Sequence, residues 1–118
     1  MYSLKVELSF SAAHNLRGYK GKCEELHGHN WRIEAVVESD ALDKTGMVMD
    51  FTDIKSKLGE ILGKLDHKYL NKIKPFDKTN PTSENIARFI YVTLKLRIAG
   101  LKSITVWENQ TSAATYYE

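Results

Sequence analysis

Two of the four histidines form His27-Gly28-His29, and a third, His14, stands thirteen residues before the first of them. Residues two apart on a strand project from one face, so both imidazoles can address a single ion while Gly28 lets the backbone approach closely. His14 joins them if the segment that it closes pairs antiparallel with the segment that His27 opens. Three nitrogen ligands with an open fourth position describe a catalytic zinc site, because a structural site would want a fourth protein ligand. The competing reading of His-x-His alone is a pair of ordinary loop histidines. Cys23, four residues before His27, is either a packed small thiol or, beside Lys22 and a divalent cation, a thiolate. Such a thiolate can take a proton from a carbon or hydroxyl that a metal has acidified. Asp66-His67 is a second pair; on local sequence it reads as a helix C-terminus where His67 complements the macrodipole. Glu108 shares parity with Ile104 and Val106, so its carboxylate should face the interior, where a charge requires a partner or a ligand with donors. A salt bridge to Arg32 or Arg88 is the plain alternative.

The elements that must position these residues follow from periodicity. From Tyr2 to His14 apolar side chains fall on even positions, the period-two pattern of a strand with one buried face. Asn15 to Glu25, with Gly18 and Gly21, reads as a long loop. A second strand carries Trp31, Ile33, Ala35 and Val37 on the face shared by His27 and His29. Ile54, Leu58, Ile61, Leu62 and Leu65 recur at helical steps, and Asp66-His67 closes that helix. Pro75 and Pro81 bracket a connector, after which Thr82, Ser83 and Glu84 supply a cap and an acidic first turn for a second helix. That helix is expected to stop at Gly100. A third strand runs through Ile104, Val106 and Glu108, and Ala113 to Tyr117 forms a fourth. The order β-β-α-α-β-β predicts an α+β domain over residues 1–118, a four-stranded antiparallel sheet with two helices on one face. Its bare face and open edges call for association between copies.

Composition narrows the function classes. With 17 basic and 15 acidic residues, net charge is +2, which lacks the strong positive field of a nucleic-acid binder. No segment approaches the ~20 apolar residues that cross a bilayer. The first residues alternate and show no secretory pattern, and a lone cysteine builds no disulfide framework, so the reducing cytoplasm is the expected compartment.

Taken in order, the motifs Phe10-Ser11-Ala12-Ala13-His14, Cys23-Glu24-Glu25-Leu26-His27-Gly28-His29, Gly46-Met47-Val48-Met49-Asp50-Phe51, Leu65-Asp66-His67, Asn80-Pro81-Thr82-Ser83-Glu84-Asn85 and Val106-Trp107-Glu108 resemble the 6-pyruvoyltetrahydropterin and 6-carboxytetrahydropterin synthase family. The resemblance runs nearly end to end. It implies that His14, His27 and His29 hold zinc, that Cys23, Asp66 and His67 transfer protons, and that Glu108 grips the pterin's amino and ring N–H groups. Thr82 and Ser83 match a stretch with further pterin contacts. The implied fold is the tunnelling or T-fold, with subunits joining sheets into barrels, usually a hexamer of two trimers with active sites between subunits. The implied substrate is 7,8-dihydroneopterin triphosphate. Arg17, Lys20, Lys22 and Lys68 are the nearest cations for its triphosphate.

Three residues separate Cys23 from His27, a gap similar to that of the 6-carboxytetrahydropterin synthases of queuosine and 7-deazapurine formation. These lyases release acetaldehyde and triphosphate; the pyruvoyl-forming branch resembles a pattern with a longer gap. Glu24 stands where a folate-pathway branch carries glutamate in place of the cysteine and makes 6-hydroxymethyl-7,8-dihydropterin. Possession of both Cys23 and Glu24 resembles dual-function members. The alternatives are a 6-pyruvoyltetrahydropterin synthase and, from another class, a non-catalytic zinc-stabilised oligomeric module that chelation would unfold.

Overall fold

The computed structural model describes residues 1–21 and 24–118; Lys22 and Cys23, and with them the proton-transfer role expected of Cys23, lie outside the described residues. Two long strands, β1 (Tyr2–His14) and β2 (His27–Ser39), are followed by α1 (Phe51–Gly63), a short β3 (Lys68–Tyr69), α2 (Ser83–Lys95), β4 (Leu101–Trp107) and β5 (Ala113–Tyr117). Sheet order is β3-β1-β2-β4-β5. The expected α+β architecture is present, with one difference. β3 pairs parallel with β1 through Ala12↔Lys68 and Ala13↔Tyr69, so the sheet is five-stranded and mixed. A two-residue strand carries no periodicity, which is why the sequence pattern yields only four strands.

Alternation in β1 and β2 buries Val6, Phe10 and Ala12 against Trp31, Ile33, Ala35 and Val37, and their antiparallel register runs from Tyr2↔Ser39 to His14↔His27. α1 lies on β1, and α2 on β4 and β5. Both helices begin at caps: Asp50 accepts from Thr52 N–H at 2.8 Å, and Thr82 Oγ1 accepts from Asn85 N–H at 3.1 Å. Each cap contributes about 1 kcal/mol. Ile54, Leu58, Ile61 and Leu62 of α1, and Ile86, Ile90 and Leu94 of α2, complete one core.

α2 ends at Lys95, well before Gly100. Ile98 folds back so that its N–H reaches the Leu94 carbonyl at 2.9 Å, and Lys95 Nζ ties down the carbonyls of Ala99 and Leu101. Gly100 serves a close approach: a Cβ there would meet the Glu38 carbonyl oxygen at 2.8 Å. The helix-free face of the sheet is polar and ordered. Arg32 lies 4.4 Å over the Trp107 ring and pairs with Glu34, which also accepts from Trp107 Nε1.

Candidate metal centre and active site

The register sets the metal candidates. His14 and His27 are directly opposed at the last β1–β2 pair, and His29, opposite Ala12, projects from the same face. β2–β4 pairing places Ile33 against Val106 and Arg32 against Trp107, so continuing one step brings Glu108 opposite Trp31 on that face. His14 Nε2, His27 Nε2, His29 Nε2 and a Glu108 carboxylate oxygen accordingly converge, with all four atoms within 4.8 Å of one another.

Hydrogen bonding fixes which nitrogens carry protons. His14 Nδ1 donates to the Pro81 carbonyl at 2.7 Å and His27 Nδ1 donates to the Glu25 carbonyl at 2.8 Å, since a carbonyl only accepts. Each ring in its neutral form then turns a bare Nε2 lone pair inward, and these two lone pairs face each other at 2.9 Å. Burial lowers the pKa of His14, with the Pro81 hydrogen bond opposing and His27 reinforcing it, so an imidazolium does not relieve the repulsion near neutrality. His29 is also held low by burial, against the pull of Glu108. Its Nε2 lies 2.8 Å from Glu108 Oε1 without hydrogen-bond geometry, and among the described residues it is the buried side-chain nitrogen left without a partner. Three convergent imidazole nitrogens beside a carboxylate, those of His14 and His27 left bare by their Nδ1 hydrogen bonds, fit a divalent cation, and the nitrogen donors suit zinc.

Asp66 and His67 stand nearby. α1 ends at Gly63, and Lys64–His67 form a turn, so the reading of His67 as a helix-terminal charge is corrected. His67 adopts φ +58°, a left-handed conformation costly for a side-chain-bearing residue. It is held there by β1: His67 N–H donates to the Ser11 carbonyl, and Ser11 N–H donates to Asp66 Oδ1 at 2.9 Å. The same Oδ1 lies 3.1 Å from His67 Nδ1. The Ser11 N–H, followed by His67, keeps the Asp66 carboxyl below its ordinary pKa, so it is an anion that orients the ring. An open cavity of about 520 Å3 has His29, Asn30, His67, Lys68 and Tyr69 on its walls.

The structure thus gathers His14, His27, His29 and Glu108, sets Ser83 beside them with its hydroxyl 3.5 Å from Glu108 Oε2, and places His67 with His29 on the wall of one cavity. Thr82 is committed to capping α2. Glu24 sits on an exposed turn, its N–H bonded to the Gly21 carbonyl and its carbonyl accepting from Asn15 Nδ2. The Glu108 salt bridge to Arg32 is replaced by the histidine contacts, Arg32 pairing with Glu7 and Glu34. Arg17, a triphosphate candidate by sequence, instead donates to the carbonyls of Asn71 and Phe76; Lys68 is exposed on the cavity wall. Sequence reasoning missed that Glu108 joins the histidine cluster, although its shared parity with Val106 was the available signal.

The sequence model of the 6-pyruvoyl tetrahydropterin synthase family matches residues 3–118. The chain is 43% identical over 123 residues to the 6-carboxy-5,6,7,8-tetrahydropterin synthase of Synechocystis sp., covering 99% of this chain and 94% of that one. It is 41% identical over 103 residues to the dihydroneopterin monophosphate aldolase of Pyrococcus furiosus, covering 85% and 83%. The Caenorhabditis elegans 6-pyruvoyl tetrahydropterin synthase structure superposes with a TM-score of 0.91 at 30% identity, covering 99% of this chain and 95% of that one. A match that spans the motifs, the topology and the clustered histidines together means that the chain belongs to the 6-pyruvoyl tetrahydropterin synthase family.

Proposed function

We propose that the protein converts 7,8-dihydroneopterin triphosphate to 6-carboxy-5,6,7,8-tetrahydropterin, releasing acetaldehyde and triphosphate, as a zinc-dependent lyase of queuosine and 7-deazapurine formation in the reducing cytoplasm. The observation that carries the chemistry is the convergence of three imidazole nitrogens, with His29 and His67 both lining one cavity. The three-residue gap between Cys23 and His27 supports the carboxy branch over the pyruvoyl one.

His14, His27 and His29 would hold the ion, which when bound supplies Lewis-acid polarisation of the substrate's side-chain oxygens. Asp66 takes the hydrogen bond of His67 Nδ1 and leaves Nε2 free to exchange a proton with substrate. Cys23 is the partner base in this reading. Glu108 offers the carboxylate to which the pterin's amino and ring N–H groups pair in two charge-assisted bonds, with Ser83 at its other oxygen and Thr82 alongside. Lys68 neutralises phosphate charge. Copies assemble into a hexamer of two trimers, which covers the polar helix-free face and the open β5 edge.

A second product, 6-hydroxymethyl-7,8-dihydropterin, is favoured by one observation: Glu24 is exposed three residues before His27, on a turn tied to Asn15. Incubating purified enzyme with dihydroneopterin triphosphate and resolving the pterins tests both readings. The carboxy product is expected to dominate, and Glu24→Ala is expected to lower the hydroxymethyl share. Formation of 6-pyruvoyltetrahydropterin alone would sink both, and an unchanged product ratio in Glu24→Ala would remove the second.

A further inference from the structure

Beyond His14, β1 no longer pairs with β2, yet the backbone of the next residues is not left open. Asn15 N–H donates to Asn71 Oδ1 at 3.0 Å, and the Asn15 carbonyl accepts from Asn71 Nδ2 at 2.8 Å. Two residues on, Arg17 N–H donates to Asn80 Oδ1 at 2.9 Å, and the Arg17 carbonyl accepts from Asn80 Nδ2 at 2.9 Å. A carboxamide carries the same donor and acceptor as a peptide group, so each asparagine side chain imitates one rung of a β-ladder at alternate residues. Both rungs belong to the chain that leaves His14.

The second asparagine directly precedes the residue that meets the far side of the ring. Asn80 is anchored to α2, its carbonyl accepting from Asn85 Nδ2 at 2.9 Å. Its neighbour Pro81 presents the carbonyl that receives the His14 Nδ1 proton. Pro81 is buried and Asn71 is 7% exposed, so neither group can exchange these partners freely for water. The His14 ring is therefore held from its own main chain and from the carbonyl behind it, by one connected set of contacts.

We propose that Asn71 and Asn80 are positioning residues for His14: their paired amide rungs lock the chain after it and the Pro81 carbonyl behind it. The ring then stays in the Nδ1–H tautomer with its Nε2 lone pair turned toward His27. The inference rests on the reading of the three histidines as metal ligands. Side-chain and backbone groups that orient a ligand histidine alter metal affinity by about 10–100-fold when removed.

Long-range proton–nitrogen spectra of the metal-free full-length protein at pH 8 read the tautomer directly. His14 is expected as Nδ1–H in the wild type and as a mixture in Asn80→Ala. Competition with a chelator is expected to show zinc bound about 10–100-fold more weakly by Asn80→Ala and Asn71→Ala. Folded variants with lowered melting temperature but unchanged tautomer and unchanged zinc affinity would mark the amides as merely structural and overturn the proposal. A wild-type His14 protonated on Nε2 overturns it even where a variant does not fold. Wild-type protein that binds no zinc, with the tautomer still shifting in Asn80→Ala, overturns the metal reading and leaves the ring-positioning role supported.

Discussion

The histidines occupy two kinds of ground. His14, His27 and His29 project from the paired ends of two thirteen-residue strands, where register fixes each Cβ and burial holds the pKa values of His14 and His29 low. His67 stands on a turn in a left-handed conformation, with 82% of its side chain exposed and one ring nitrogen against Asp66. The first arrangement holds lone pairs still, as a Lewis acid requires of its ligands. The second keeps a ring oriented through one nitrogen and accessible through the other, as proton exchange requires. Rigidity and access are separated by placing them on different elements and joining those elements at β1.

The sharpest way to break that division is to remove a strand histidine. His27→Ala is expected to lose stoichiometric zinc, measured by metal analysis after dialysis, and to lose turnover with it; full turnover without metal would merge the two regions into one. His67→Ala is expected to retain zinc while turnover falls by about 10²–10⁴-fold, the usual contribution of a general acid or base. Loss of zinc in that variant would show that the turn supports the metal as well. The smallest effect separates the regions by pH. Burial depresses the pKa values of His14 and His29 from their ordinary 6.5, so below about that pH the unfolded chain binds protons that the fold excludes. Stability of the metal-free protein is therefore fully present above 6.5 and declines as pH falls toward the folded-state pKa values. A melting temperature that drops between pH 7.5 and 5.5, with a smaller drop in His29→Ala, is the expected result.

Much of the candidate metal centre was legible because strand periodicity is local. Parity put His27, His29 and Trp31 on one face, and Glu108 with Val106 on the same one; antiparallel pairing then needed only the right register to bring in His14. Other features depended on distant chain segments. The two-residue β3 and the role of Gly100 are set by contacts with Ala12 and Glu38, which no window of neighbouring residues contains. The rungs supplied by Asn71 and Asn80 reach more than fifty residues along the chain and have no period to display. His67 looked like a helix end because the helix stops at Gly63, two residues before its apolar pattern does, Leu65 being buried in the turn itself.

The short parallel strand β3 acts as a gauge block. Its pairing with Ala12 and Ala13 sets the spacing between the His67 turn and His14, the next residue on β1, and it does so through peptide groups. The Lys68 side chain on the cavity wall takes no part in that pairing, whereas the Tyr69 hydroxyl donates to Asn15 Oδ1 at 2.6 Å and ties β3 to the residue after His14. On the proposed function, the separation between the metal ligands and the proton-exchanging ring is carried by the backbone, and the exposed side chain of Lys68 can vary around it.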